Sequence, residues 1–348
     1  MKYTLFLLLF GLLVSCQDQT TENQTIQEKL DALFQNLSES GDFNGSVLVA
    51  TSEDILYKDA FGYVDGSQNT PLNTDNKFAI GSIYKELPGL AIMLLKEQGK
   101  LSLEDKISTY LPNLPKWSTQ ITIRHLLQYT SGLPKVNWGT FEVVNDEALL
   151  TALNDLDQLE FEPGEDYLYT NYSPFLLSKI VESISNQAFE EFVQENILSP
   201  HDLTQSIFKN AFPYQDRTDV AIPFDENFQE DEMPFTIASP IFLFVTTVED
   251  LYKFLEALHN FKIISKTSLI ELARKTTVKA NNIQSPLGTV IIKNDEIIKH
   301  RHHGSSGNYE ALITRFQEEK ITIVLTTNQK RRNLSEITEN IYELVKQQ

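Results

Sequence analysis

Residues 78–85 read Phe78-Ala79-Ile80-Gly81-Ser82-Ile83-Tyr84-Lys85, and the rest of the chain is organised around this stretch. It places a serine and a lysine three residues apart, where a long apolar helix is predicted to begin. Because positions i and i+3 share one face of a helix, Ser82 Oγ and Lys85 Nζ can meet there. A serine hydroxyl becomes a good nucleophile when a neighbouring base removes its proton, and a lysine can be that base only while it is neutral.

The same spacing also has a structural interpretation. Ser82 would then cap the helix, and Lys85 would be solvated one turn later. Ser206 and Lys209 show the identical spacing, so the spacing alone does not identify a nucleophile. Other motifs have to distinguish the two serines.

Composition indicates a folded protein that works on something other than nucleic acid. The chain has 348 residues, of which 41% are hydrophobic and 22% charged, which is typical of one large globular domain or two ordinary ones. Its formal net charge of -19 argues against nucleic acid as a partner and should repel anionic membrane surfaces.

The first 16 residues predict a lipoprotein signal peptide. An apolar run over residues 5–14 is shorter than the roughly 20 residues that span a bilayer, but it suits a secretory signal. The ending Leu13-Val14-Ser15-Cys16 resembles a bacterial lipobox, in which the cysteine becomes the lipidated first residue. Since Cys16 is the only cysteine, no disulfide can form within the chain. The alternative is an ordinary signal peptide with an incidental cysteine.

This interpretation predicts a location as well. We expect a lipid anchor at Cys16, a polar tether over residues 17–25, and a place in the bacterial cell envelope, either periplasmic or on the cell surface. The membrane would then be a partner through the anchor alone.

Hydrophobic periodicity predicts the order of the elements. The helical stretches are 26–37, the segment from Ser82 to Gly99 with a bend at Pro88, 122–129, 147–156, a helix with Ser173 as N-cap and Pro174 at its first position, one that begins at Thr247, and 334–345. The predicted strands are 45–50, 55–61, 288–293, 296–302, 309–316 and 320–326. We therefore expect an α/β (α+β) fold with one antiparallel sheet built from residues 26–80 and 265–348, and a mainly helical part over 82–264.

Two further motifs accompany Ser82. Tyr169-Thr170-Asn171 is the only Y-x-N in the chain and lies in a loop before a predicted helix. His302-His303-Gly304 is the only H-x-G and lies at the end of a predicted strand. Strand alternation sends His302 and His303 to opposite faces.

The order S-x-x-K, Y-x-N, H-x-G resembles the signature of the serine β-lactamase and penicillin-binding-protein superfamily. The similarity is greatest to its class C-like branch of β-lactamases, esterases and D-amino-acid peptidases, and segments 121–133 and 161–164 fit the same pattern. The resemblance covers the chain from about residue 26 to the end. It implies a β-lactamase/transpeptidase-like fold over residues 26–348, no cofactor, a monomer, and a small-molecule or short-peptide substrate.

The resemblance also implies a role for each motif residue. Ser82 would be the acylated nucleophile, neutral Lys85 its base, and Tyr169 a phenolate or relay in proton transfer. Asn171 would hold the acyl side of a small ester, amide or D-amino-acid peptide. The substrate-binding strand would contribute His302, Gly304 and Ser305, with the backbone N–H groups of Ser82 and Ser305 as the oxyanion hole.

Some residues depart from the pattern of the family. His303 replaces a common threonine, and the segment 239–244 replaces one usually rich in glycine, which leaves the shape of the pocket wall open. A histidine with a pKa of about 6.5 is mostly neutral at pH 7, so His302 favours an ester or neutral amide over a penicillin-like acid.

Other functions fit these residues less well. His300 and His302 share a strand face, but the nearest acid on that face, Glu296, lies roughly 13 Å away, which argues against a metal site. The absence of G-x-S-x-G argues against an α/β-hydrolase. Trp117, Trp138 and His125 are interpreted as packing residues. A true β-lactamase and a catalytically silent lipoprotein that binds cell-wall peptides remain as alternatives.

Overall fold

A computed structural model describes residues 24–51, 54–278 and 280–346. The predicted signal peptide and Cys16 lie outside these residues. Among the residues described, no helix combines the length and the hydropathy that crossing a bilayer requires.

The α-helices follow the predicted order. Within the described residues they are α1 (Ile26–Glu39), α2 (Glu86–Glu97), α3 (Ile123–Leu127), α4 (Asp146–Asn154), α5 (Tyr172–Ser185), α6 (Phe189–Val193), α7 (Val248–His259), α8 (Lys266–Ala273) and α9 (Leu334–Val345). The periodic apolar faces found in the sequence are the buried faces of the longer helices, for example Leu30 and Phe34 in α1.

The strands concentrate at the two ends of the chain. They are β1 (Gly45–Ala50), β2 (Ile55–Phe61), β3 (Phe78–Ala79), β4 (Val143–Val144), β5 (Ile207–Phe208), β6 (Thr236–Ile237), β7 (Phe244–Thr246), β8 (Thr289–Lys293), β9 (Glu296–Ser306), β10 (Tyr309–Phe316) and β11 (Ile321–Thr327). The main sheet has the order β2-β1-β11-β10-β9-β8. Its pairs are antiparallel, and β1 lies beside β11, which confirms a sheet assembled from both ends of the chain.

Each face of the sheet covers a hydrophobic core. Val47 and Val49 pack with α1 and α9 on one face, whereas Leu48 points to the opposite face and packs with α2 and the helical part. Strand alternation produces this division, because successive side chains point to opposite sides. The central strands are therefore apolar on both sides, and the helical part is built against the second face.

The helix at Ser82 differs from the prediction. Residues Gly81–Lys85 form a 3₁₀ helix, and the α-helix α2 begins only at Glu86. Side chains at i and i+3 eclipse one another in a 3₁₀ helix, so this geometry aligns Ser82 with Lys85 more closely than an α-helix would. Pro88 lies in the first turn of α2, and the bend predicted there stays a prediction.

The start of α5 also corrects the prediction. The sequence predicts Ser173 as N-cap, but the helix begins at Tyr172 and its N-cap is Asn171. The hydroxyl of Thr170 accepts a hydrogen bond from the backbone N–H of Tyr172 at 3.2 Å and donates one to Pro134 O at 2.6 Å. Because Thr170 fixes this turn, the side chain of Asn171 makes no capping bond and is available to the site.

Candidate active site

The predicted nucleophile and base lie together. Lys85 Nζ is 3.1 Å from Ser82 Oγ, within hydrogen-bond distance. Lys85 is 3% exposed, although a lysine is seldom buried without a charged partner. In the part of the chain that the structure describes, no carboxylate oxygen lies within 4 Å of Lys85 Nζ. The surroundings of Lys85 are thus those that keep a lysine neutral.

Burial has a direct effect on the basicity of Lys85. It lowers the pKa of the ammonium group from 10.5 to about 7, because the charged form loses its hydration. The aromatic rings of Tyr84 and Tyr169 lie 4.6 and 5.0 Å from Nζ and replace part of that hydration. A large fraction of Lys85 is therefore neutral near pH 7 and can accept the proton of Ser82.

Tyr169 supplies a second group for proton transfer. Its hydroxyl is buried beside Ser82 and Tyr129, and it makes no hydrogen bond of normal geometry among the described residues. Burial raises the pKa of this hydroxyl, and the neighbouring Ser82 and Tyr129 only partly oppose that shift. Of the two predicted forms, the structure favours a protonated relay over a phenolate.

Asn171 faces the same cavity. Its Oδ1 is 3.4 Å from the hydroxyl of Tyr84, which donates to it. The side chain lines the cavity together with Ser82 and Lys85. The Y-x-N motif therefore does bring two polar side chains to the serine, one on each side of Thr170.

Strand β9 reaches the serine through contacts between backbones. A Cβ atom on Gly304 would lie 1.9 Å from Ile80 O and 2.9 Å from Ser82 N. Gly81 has φ +51°, and a Cβ there would lie 2.2 Å from Ser305 N. Only glycine fits at these two positions, which lets the two backbones approach closely. The N–H groups of Ser82 and Ser305 therefore lie beside the same small space. The sequence interpretation missed the role of Gly81, although this glycine directly precedes Ser82 in the sequence.

The structure does not place His302 in the cavity. Strand β9 continues to Ser306, so the H-x-G motif lies inside the strand and not at its end. His302 is buried, with Nδ1 2.7 Å from Glu86 Oε1. His303 instead points to the site and lines a cavity with Ser82, Tyr169 and other residues. The prediction that His302 contacts substrate is therefore wrong. Strand alternation shows that the two histidines point to opposite faces of the sheet, but it does not show which of them faces the site.

Two cavities meet at Ser82. The first, of about 260 Å³, is lined by Ser82, Lys85 and Asn171 and by a mostly apolar wall. The second, of about 480 Å³, is lined by Ser82, Tyr169 and more polar side chains that include Lys135 and His303. Both cavities therefore give access to Ser82.

The match to known families covers nearly the whole chain. The family model described as Beta-lactamase matches residues 30–348. The chain belongs to the beta-lactamase family. It is a serine hydrolase of this family, and its helices and antiparallel sheet form the β-lactamase/transpeptidase fold.

Among curated proteins, this family member is similar to penicillin-binding protein 4* of Bacillus subtilis, at 29% identity over 88% of this chain and 73% of the relative. Among solved structures it is similar to a class C beta-lactamase, with a TM-score of 0.75 at 17% identity over 92% of this chain and 96% of the other. The D-amino acid amidase of Ochrobactrum anthropi gives a TM-score of 0.73 at 18% identity, covering 92% and 99%.

One structural neighbour is relevant to the oligomeric state. The octameric penicillin-binding protein homologue from Pyrococcus abyssi has a TM-score of 0.71 at 24% identity, covering 86% of this chain and 73% of that one. Since proteins of this fold include an octamer, the monomer expected from the sequence stays a prediction.

The unusual segment of this beta-lactamase-family chain builds an aromatic wall. Pro240–Phe242 is a 3₁₀ helix, and the Phe242 ring packs edge-on against Tyr84 at 5.7 Å and Trp138 at 5.4 Å. Trp138 also stacks on Phe235 at 6.4 Å. The interpretation of Trp138 as a packing residue missed that it lines the first cavity.

A cation near Ser305 was also missed. Lys330 follows β11, and its ammonium group donates a hydrogen bond to Ser305 Oγ. In the described residues, no carboxylate oxygen lies within 4 Å of Lys330 Nζ. The signal in the sequence was the basic run 330–332, which no motif connected to the site.

Lys85 should govern the pH dependence of acylation. We expect kcat/KM for a neutral ester to rise with pH through a midpoint near 7 and to fall about tenfold per pH unit below it, because only neutral Lys85 accepts the proton. Initial rates measured between pH 5 and 9 check this. A flat profile, or a midpoint near 10, would contradict the role of Lys85, and Lys85→Arg should remove the activity.

Gly304 should be essential for the rate. In Gly304→Ala the added methyl group would meet Ile80 O, so β9 must move away and the Ser305 N–H leaves the oxyanion hole. We expect kcat to fall about 10²- to 10³-fold. Gly139→Ala is the matched control, since its Cβ meets nothing closer than 3.8 Å. Equal activity of the two variants would show that β9 does not supply the donor.

Proposed function

We propose that this chain is a lipid-anchored serine hydrolase of the bacterial cell envelope that forms an acyl-enzyme at Ser82 with a small ester, amide or D-amino-acid peptide. The proposal is supported above all by the 3.1 Å approach of Ser82 Oγ to a buried Lys85. The anchor and location rest on the lipobox that ends at Cys16.

The first half of the reaction uses the groups around Ser82. Neutral Lys85 takes the proton of Ser82 as Oγ attacks the substrate carbonyl, and the N–H groups of Ser82 and Ser305 bind the oxygen that becomes negative. Tyr169 gives its proton to the leaving oxygen or nitrogen and regains one from the Lys85 ammonium. The acyl group then remains on Ser82, and both proton carriers are back in their starting states.

Water completes the reaction. Water attacks the acyl carbonyl while neutral Lys85 takes its proton. As the carbon–Oγ bond breaks, Lys85 returns that proton to Ser82 Oγ, which releases the acid and restores the free serine. The protonated state of Tyr169, which burial favours, suits donation to a leaving group.

The aromatic wall informs the choice of substrate. Tyr84, Trp138, Phe235 and Phe242 line the first cavity, which therefore suits an apolar or aromatic group. The argument from His302 for a neutral substrate no longer applies, because that side chain lies outside the cavity. We therefore propose a substrate with an apolar side chain next to the scissile carbonyl, as an aromatic D-amino-acid amide or ester has.

Labelling of Ser82 tests the acyl-enzyme directly. A fluorophosphonate probe should modify Ser82 of the folded protein stoichiometrically, and mass spectrometry of the peptides should locate the adduct there. Ser82→Ala should abolish labelling and turnover. Ser206→Ala is the matched control, because Ser206 is buried and hydrogen-bonded to Thr246 and Asp250.

The outcomes separate the candidate functions. Turnover of p-nitrophenyl esters or D-alanyl peptides would support the proposal. Failure to label Ser82 while an active homologue is labelled would overturn it, and tight peptide binding unaffected by Ser82→Ala, without turnover, would establish the silent lipoprotein instead.

A second candidate, a true β-lactamase, is favoured by the position of Lys330. β-Lactams carry a carboxylate, and the Lys330 ammonium beside Ser305 is a cation that could bind one. We expect Lys330→Met to lower kcat/KM for nitrocefin about 10- to 100-fold, as the loss of a charged hydrogen bond does.

The same variant should keep kcat/KM for a neutral p-nitrophenyl ester within about twofold of the wild-type value, because that substrate has no charge for Lys330 to bind. Lys330→Arg should keep most of the nitrocefin activity. Lys209→Met, at a distant pair with Asp216, controls for net charge. Equal losses with both substrates would mean that Lys330 only positions Ser305.

A further inference from the structure

Three polar side chains form a connection behind the aromatic wall. The ammonium group of Lys179, in α5, donates hydrogen bonds to Asp146 and to both carboxylate oxygens of Glu182, the latter at 2.8 and 2.7 Å. The other carboxylate oxygen of Asp146 accepts a hydrogen bond from Ser239 Oγ. The Lys179 side chain is 14% exposed and Ser239 is fully buried. We call Lys179, Asp146 and Ser239 the Asp146 bridge.

The aromatic wall lies outside the main sheet. Trp138 precedes β4, and Phe235 and Phe242 lie on either side of β6. Strands β4 and β6 form a separate two-stranded sheet of two residue pairs, and Ile237 of β6 also exchanges backbone hydrogen bonds with Phe212. Because a pair of strands this short is marginally stable on its own, side-chain contacts matter for where the wall lies.

The Asp146 bridge connects both strands of this small sheet to α5. Asp146 begins α4 two residues after the end of β4. Ser239 lies two residues after the end of β6, directly before the 3₁₀ helix that includes Phe242. Lys179 lies on α5, whose N-cap is Asn171. None of the three bridge side chains lines either of the two cavities, so they can affect a substrate only by holding the wall in place relative to Asn171.

The charges of the bridge explain why it holds. Burial would lower the pKa of Lys179, but the hydrogen bonds and charges of Asp146 and Glu182 raise it, so the group is a cation at neutral pH. Glu182 follows Lys179 by three residues, so that pair stays within α5. Asp146 is the partner on another element, and as the first residue of α4 its negative charge also suits the dipole of that helix. Separating a largely buried ion pair leaves charges without partners, which is costly.

We propose that Lys179, Asp146 and Ser239 are positioning residues for the aromatic wall, which they fix against α5 so that the first cavity selects an aromatic acyl group. This role rests on the proposed acyl-enzyme function. The ring of Phe242 contacts two other aromatic side chains of the wall, so a shift of the segment after Ser239 would displace the wall as a unit.

The expected effect is on the choice of substrate and not on the chemistry. A phenylacetyl group would place a ring in the first cavity, and ring pairs are favourable only over a narrow range of distances and orientations. An acetyl group would place a methyl group there, which makes little contact with the wall. Ser82 and Lys85 belong to a different segment and are 3.1 Å apart, so a looser wall leaves the nucleophile and its base in position.

Two p-nitrophenyl esters test this preference in the whole protein. We expect Lys179→Met to lower kcat/KM for p-nitrophenyl phenylacetate about tenfold, mainly through a higher KM, and to keep kcat/KM for p-nitrophenyl acetate within about twofold of the wild-type value. Both esters have the same leaving group, so only the acyl group differs. Lys179→Arg should keep most of the preference, because a guanidinium can bind both carboxylates. Lys58→Met is the control, since it removes an ion pair with Glu249 at 2.7 Å between β2 and α7, and it should change neither value.

Ser239→Ala tests the same connection without removing a charge. It leaves the pair of Lys179 with Asp146 in place and breaks only the bond to the segment that includes Phe242. We expect a smaller loss for the phenylacetate, about threefold, and little change for the acetate. Combining it with Lys179→Met should add less than about twofold to the loss from Lys179→Met alone, because both changes break one bridge. Ser239→Ala keeps the proposal testable where Lys179→Met fails to fold.

Fluorescence measures the state of the wall without turnover. The chain has two tryptophans, of which Trp117 is 7% exposed and Trp138 is partly exposed in the wall. Acrylamide should therefore quench mainly Trp138, and we expect more quenching in Lys179→Met and in Ser239→Ala than in the wild type. Unchanged quenching in these variants, equal losses with both esters, or additive losses in the double variant would overturn the proposal. Absence of both turnover and labelling of Ser82 in the wild type would instead reject the proposed function, and the quenching result would still decide whether the bridge holds the wall.

Discussion

The site depends on one contact between backbones, in which β9 lies against the turn at Ser82 with no side chain between them. Gly304 and Gly81 make this approach possible, since a Cβ on either would overlap main-chain atoms of the other segment. The approach also needs β9 to be held firmly, and β8 and β10 hold it on both edges. Strand β1, from the other end of the chain, lies beside β11 and completes the sheet. The whole sheet therefore helps to hold the N–H groups of Ser82 and Ser305 in place.

Lys85 and Glu86 are adjacent in sequence and both are buried, but the two side chains differ in charge state. Lys85 has no anionic partner among the described residues and approaches neutrality, with a pKa of about 7. Glu86 is kept ionised by histidines, with a pKa of about 2. Successive residues on a helix do not share a face, so neighbours in sequence can reach different environments. Lys85 turns toward Ser82, and Glu86 toward β9 and α7.

Local sequence pattern predicted most of the fold but only part of the site. The hairpin β1–β2, the meander β8–β11 and α9 carry their own periodicity, so their order and approximate bounds could be predicted. The spacing of Ser82 and Lys85 allowed the two side chains to meet, and the accompanying motifs distinguished this pair from Ser206 and Lys209. Tertiary contacts decided the rest. Ser206 has the same spacing to Lys209, but its hydroxyl is hydrogen-bonded to Thr246 and Asp250. Lys330 and the aromatic wall come from segments distant in sequence, and which histidine of β9 faces the serine depends on packing against α2.

The burial of Lys85 also distinguishes hydrolysis from silent binding. Lowering the pKa of a lysine from 10.5 to about 7 costs the folded state on the order of 4 kcal/mol at neutral pH, because the unfolded chain binds the proton more tightly. A protein that only binds peptides could place an apolar side chain there and keep that free energy as stability. A hydrolase needs the neutral amine, since no other base lies within hydrogen-bond distance of Ser82 Oγ among the described residues. The cost is therefore explained by chemistry at Ser82 and not by packing, which is the physical reason to prefer an enzyme over a binding scaffold.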